Sequence, residues 1–161
     1  MSHIGDRLEA HWKTQGIKPP AGVSEGRLRE FENRFSITLP PDLRGYFLRV
    51  NGMGSRSESD DDWFSFWPIE DVVRASEEYE DQFIEDQASY FVFADHSICL
   101  PAYAIRLASS ESFLHPVIAI YSDQREYRTS IVARSFSEFV ERYLSDPESR
   151  MDLSMGIFEI D

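Results

Sequence analysis

The chain has a single cysteine, Cys99, so no internal disulfide is available to it. The apolar context Ile98-Cys99-Leu100 suits a buried, inert thiol better than a nucleophile. No run approaches the ~20 apolar residues that a membrane helix needs. Residues Met1 to Lys13 are charged throughout, unlike the apolar core of a signal peptide, so the cytoplasm is the expected compartment. Catalytic signatures are also missing: there is no Gly-x-Ser-x-Gly, phosphate loop, His-Glu-x-x-His or paired-cysteine motif. Glu58, Asp60 and Asp62 alternate as calcium ligands do. A calcium loop opened at Glu58 would, however, need glycine where Trp63 stands and glutamate where Ile69 stands. Asp95-His96-Ser97 holds the residue types of a hydrolase triad, yet neighbours on an extended strand point to opposite faces and cannot act in series. His3, His11 and His115 have no ligand-like spacing. These absences argue against an enzyme and against a resident metal or cofactor.

Basic residues are scarce in one quarter of the chain. The net charge is −13 over 161 residues, but residues 1–57 carry +3 and residues 96–161 carry −4. Residues 58–95 carry −12, from thirteen acids against the single base Arg74. Charge so concentrated disfavours nucleic acid or an anionic membrane as partner and favours a basic protein. Apolar residues are plentiful at 42%, with twelve phenylalanines, enough to bury a core in a single domain spanning residues 1–161.

Helical spacing appears five times, four of them before residue 90. Ile4, Leu8, His11 and Trp12 form a stripe that stops before Gly16 and Pro19-Pro20. Ser24 caps a second helix with Leu28, Phe31 and Phe35 on its apolar face. Pro41 suits the first position of a third, carrying Leu43, Tyr46, Phe47 and Val50 and closed by Asn51-Gly52. Residues 52–62 read as a mobile loop with no apolar anchor except Met53. Trp63 to Trp67 read as a strand whose alternation puts both tryptophans on one sheet face. Pro68 then introduces a long predicted helix with Ile69, Val72, Val73, Tyr79 and Phe83 inward and Glu70, Asp71, Glu77, Glu78, Asp81 and Glu85 outward. Like charges three or four apart cost such a helix ~0.2 to 0.5 kcal/mol per pair.

Tyr90 to Ala94, Ile98 to Leu107, Pro116 to Tyr121 and Thr129 to Ala133 are strand-like runs with short connections, which implies a mostly antiparallel sheet. Ser135 and Glu138 form a capping box for a last helix carrying Phe136, Phe139, Val140, Tyr143 and Leu144. The tail, with Met151, Leu153, Met155, Ile157, Phe158 and Ile160, is apolar enough to dock as a strand or turn. The expected class is α+β.

Several of these stretches fall in an order that resembles a known family. Glu25, Leu28, Phe31, Glu32, Phe35, Leu39-Pro40, Asp42, Leu43, Phe47-Leu48 and Asn51-Gly52 look like the N-terminal signature of the SUKH superfamily, the Smi/Knr-type domain. Phe64 to Ile69, Tyr90 to Asp95 and Ser135 to Phe139 resemble its later strand, central strand and final helix, so the likeness spans about residues 23–145. Ser36 and Ala94 stand where the family often has glycine. The resemblance implies a mostly antiparallel sheet flanked by helices and a non-catalytic binding module. Many members are immunity proteins that neutralise a cognate bacterial toxin, often a nuclease; others are regulators or scaffolds that recruit a cellular protein.

The candidate contact residues are Asp60, Asp61, Asp62, Trp63, Trp67, Glu77, Glu78, Asp81 and Glu85. Aromatic side chains would supply contact area while the carboxylates steer the encounter with a basic toxin domain. The plainer alternatives are a solvated acidic helix face and two tryptophans packed in the core. Nothing in the sequence selects between a monomer and a homodimer.

Overall fold

The computed structural model describes residues 3–96, 101–108, 114–123 and 126–145. Cys99, Ser97, the start of the predicted strand at Ile98 and the apolar tail beyond Ser145 lie outside them. The three N-terminal helices form where the apolar spacing predicts: α1 (Ile4–Thr14), α2 (Glu25–Phe35) and α3 (Pro41–Arg49). The Ser24 hydroxyl accepts from the Arg27 N–H at 3.1 Å, and Pro41 opens α3 where a missing N–H costs nothing. After α3 the Asn51 side chain accepts from Ile69 N at 2.8 Å and donates to Glu70 Oε2 at 2.9 Å. Gly52 follows with φ +57°, so close to the Trp67 carbonyl that any Cβ would sit 2.5 Å from its oxygen.

Among the described residues, six strands make one antiparallel sheet: β1 (Phe64–Phe66), β2 (Val73–Arg74), β3 (Tyr90–His96), β4 (Ala102–Arg106), β5 (Val117–Asp123) and β6 (Glu126–Ala133). The order is β1-β3-β4-β5-β6, and β2 pairs with β3 below β1 on the same side. Strand alternation sorts the side chains into two cores. Phe91, Tyr103, Ile105, Val117 and Ala119 face the helices and pack with Trp12, Phe31, Phe47 and Phe139. Tyr90, Val92, Ala102, Ala104, Ile118 and Ile120 face the other way into a smaller core with Trp67 and Ala75. A register shift between Val92 and Ala94 breaks the alternation and puts Phe93 and Ala94 together in the larger core.

The last helix, α5 (Phe136–Ser145), lies on the helical face. Its Ser135 cap accepts from Glu138 N at 3.1 Å, while the Glu138 carboxylate reaches one residue further back than a capping box would, to Arg134 N. Asp42 of α3 accepts from both the N–H and the hydroxyl of Ser137, tying the start of α5 to α3.

The long helix predicted after Pro68 does not form. A 3₁₀ turn (Ile69–Asp71), the two-residue β2, a single-turn helix α4 (Ala75–Glu78) and irregular chain take its place. Val73 pairs with Val92, so its apolar side chain is accounted for by an extended backbone. A continued helix would also have aligned Glu77 with Asp81 and Asp81 with Glu85 at like-charge spacing. Tyr79 is extended instead, at φ −122° and ψ 127°.

Candidate protein-interaction surface

The loop between α3 and β1 is organised by a buried carboxyl. Asp60 is 5% exposed, and its Oδ1 accepts from Asp62 N at 2.8 Å and Phe64 N at 3.0 Å. Its own N–H donates to the Phe64 carbonyl, and its carbonyl accepts from Trp63 N at 3.1 Å. On its other oxygen it receives the Tyr143 hydroxyl of α5, which in turn accepts from Trp12 Nε1 at 3.1 Å. Two contacts brace the loop from outside: Gln15 Oε1 accepts from Asp61 N at 2.6 Å, and His96 Nε2 donates to the Asp62 carbonyl at 2.9 Å. Residues 52–62 are therefore pinned at Met53, which is buried, and at Asp60, not at Met53 alone.

This scaffold turns Trp63 outward. The residue is 59% exposed with φ +68°, a left-handed conformation that a bulky side chain rarely adopts. Asp61 is exposed and Asp62 half-buried beside it. The two tryptophans do not share a face, because β1 begins only at Phe64 and the left-handed turn reorients the residue before it. Trp67 is 1% exposed in the smaller core, donates from Nε1 to Asp95 Oδ2 at 3.0 Å and is covered by the Arg56 guanidinium at 3.7 Å from its ring centre. Asp60 and Trp67 are thus removed from the contact set: both are buried and engaged inside the protein. Glu78 is half-buried and pairs with Arg56 at 2.8 Å, while Glu77, Asp81 and Glu85 are exposed.

A second buried polar side chain, Gln87, holds the irregular acidic segment. Its amide donates to the carbonyls of Asp81 at 3.1 Å, Ala75 at 3.3 Å and Tyr79 at 3.4 Å, and its oxygen accepts from Phe83 N at 3.0 Å. No sequence pattern marks Gln87, Arg56 or Tyr143 as organisers; Tyr143 acts through partners distant along the chain, Arg56 through Glu78 and Trp67, and Gln87 through backbone groups that only an irregular segment brings to it. Tyr90, next to this segment, has its phenol pushed up by burial and then by Asp86, against the opposing charge of Arg106, which pairs with Asp86 at 3.0 Å.

Ion pairing divides the acids into two groups. In the helical layer Asp6, Glu9, Glu25, Glu30, Glu32 and Glu141 all meet arginines. In the acidic quarter Glu70, Glu78 and Asp86 do so, whereas Asp61, Glu77, Glu80, Asp81 and Glu85 form no ion pair among the described residues. Glu80, not singled out by the sequence reading, belongs to this set by its exposure.

No group of three His, Cys, Asp or Glu able to hold a metal gathers among the described residues. Asp95 points into the smaller core, whereas His96 stacks on Phe64 at 4.0 Å between ring centres, so the two diverge. No described helix is long and apolar enough to cross a membrane.

These features define an α+β domain whose helical layer is internally neutralised and whose acidic quarter keeps unpaired carboxylates and an outward tryptophan. The chain belongs to the SMI1 / KNR4 family (SUKH-1), whose family model matches residues 22–142. No curated protein matches it significantly.

Proposed function

We propose that this chain is an immunity protein that binds a cognate basic toxin domain of the nuclease type and neutralises it by stoichiometric occlusion. The family includes immunity proteins, and an occluding inhibitor needs no chemistry of its own. The observation that carries the reading is Trp63: a large aromatic side chain held 59% exposed, in a costly backbone conformation, beside Asp61 and Asp62. Strained backbone conformations cluster at functional sites, and tryptophan is among the residues enriched at binding hot spots. The unpaired carboxylates would steer a basic surface in and then stand where substrate phosphates otherwise bind.

The test is whether the adjoining reading frame encodes a protein ending in a small basic domain that kills cells lacking this chain, followed by co-expression of the two. Rescue of growth by the parent chain, with a tight 1:1 complex weakened by about 2 kcal/mol in Trp63→Ala, is the expected result. A harmless neighbour, with an unrelated cellular protein co-purifying instead, would move the chain to the regulator and scaffold branch of its family.

A further inference from the structure

The irregular segment after α4 crosses the sheet from β2 and brings Tyr79 and Phe83 against Tyr127 of β6, at the far side of the sheet order. Ring centres lie 5.1 Å apart for Tyr79 and Tyr127, 5.0 Å for Phe83 and Tyr127, and 5.6 Å for Tyr79 and Phe83. All three rings are only partly buried, at the margin of the smaller core. Phe83 and Tyr127, with Asp81, Gln82 and Glu126, line an open hollow of about 310 Å³. Asp81 and Glu126 are exposed and form no ion pair among the described residues.

We propose that this hollow is a second contact site, taking an arginine side chain of the basic partner onto the Phe83–Tyr127 rings between Asp81 and Glu126. Ring faces carry the negative end of the aromatic quadrupole, and carboxylates beside them add full charge. A guanidinium suits such a place better than an ammonium, because it is planar, weakly hydrated and able to stack on a ring while its N–H groups meet a carboxylate. A mere margin of the core would explain the packed rings but not why Asp81 and Glu126 meet no arginine among the described residues, when Asp6, Glu9, Glu25, Glu30, Glu32 and Glu141 of the helical layer do. The choice of occupant rests on the reading of this chain as a binder of a basic partner. The hollow itself does not involve Trp63.

Hexa-arginine and hexa-lysine peptides, titrated separately into the full chain by calorimetry and aromatic carbon-13 NMR, provide the test. The expected result is saturable shifts of the Phe83 and Tyr127 ring signals, with roughly fivefold tighter binding of hexa-arginine. Tyr127→Leu, which keeps an apolar side chain but removes the ring, should erase the preference, and Trp63→Ala should leave it intact. Should Tyr127→Leu fail to fold, the surface variant Asp81→Asn/Glu126→Gln should lose the hexa-arginine shifts. Equal affinity for the two peptides, or shifts confined to other residues, would overturn the proposal. An arginine preference that stands when no toxin is neutralised would keep this site and discard the immunity reading.

Discussion

Ser36 and Trp63 share a left-handed backbone, at φ +54° and +68°, and the surroundings of each tell what that conformation serves. Ser36 closes α2, its N–H returning to the Glu32 carbonyl, with an exposed side chain. A helix end of this kind is where glycine is ordinarily found. Ser36→Gly is therefore expected to raise stability by about 0.5 kcal/mol, read as a higher urea midpoint; the relief of Cβ strain slightly exceeds the entropy that glycine adds to the unfolded chain. Trp63 bears the same strain for another reason, since its ring gains no burial from it. At this position Trp63→Gly should be more stable than Trp63→Ala by about 1 kcal/mol, the reverse of the usual order, because alanine keeps the Cβ penalty. On the proposed function, each variant should weaken binding of the basic partner alike. An alanine variant as stable as the glycine variant would show that the loop relaxes freely and that Asp60 does not impose the conformation.

Elements whose apolar spacing agrees with their intrinsic preference were legible: α1, α2, α3 and α5 fall within a residue or two of the spacing, and the strand runs appear as β3 to β6. The segment from Pro68 to Ser89 was not, because Ile69, Val72 and Val73 fit a helical face and a turn leading into an extended pair equally well. What decides between them is pairing with Val92 and the amide of Gln87, neither of which local spacing can reveal. The contact set failed in part for the same reason. Asp60 looks like a surface residue in a Gly, Ser and Asp-rich stretch and Trp67 reads equally well as a contact or a core residue, while the partners that bury them, Tyr143 and Asp95, lie 83 and 28 residues away. Asp61, Trp63, Glu77, Asp81 and Glu85 need no such partner to stay outside, and they do. Gln87 allows the element to be tested directly. Gln87→Glu keeps the shape but aims an acceptor at three carbonyls that now receive N–H groups, at a cost of about 2 to 3 kcal/mol. Hydrogen exchange should then quicken in residues 79–86 while β4 and β5 keep their protection. Unchanged exchange there would mean that the smaller core, and not Gln87, holds the segment.

On the scale of the whole molecule, the charges of the two faces are handled differently. Arg7 with Glu141, Arg49 with Asp6 and Glu9, and Arg44 with Glu25 and Glu32 knit the helical layer together. The Arg7 hydrogen bond holds the Glu141 carboxyl below its ordinary range, so this pair's small contribution is present at neutral pH and fades as pH falls through that lowered value. Exposed pairs of this kind contribute little each, whereas a net charge of −13 with Glu77, Glu80, Asp81 and Glu85 unpaired in one region sets up repulsion that folding must overcome. Repulsion between exposed charges is screened once the Debye length shrinks to about 8 Å. Raising sodium chloride from about 10 to 150 mM should thus raise the melting temperature by a few degrees, the size of a shift near 1 kcal/mol for a chain of this length. The variant Glu77→Gln/Glu80→Gln/Asp81→Asn/Glu85→Gln should melt higher at low salt and lose most of that response. On the proposed function it should also associate more slowly with the basic partner, since the same four charges would supply the long-range attraction. A parent chain whose melting temperature falls with salt would mean that the ion pairs of the helical layer outweigh the acidic quarter, and stability would then give no sign that this charge is kept for a partner.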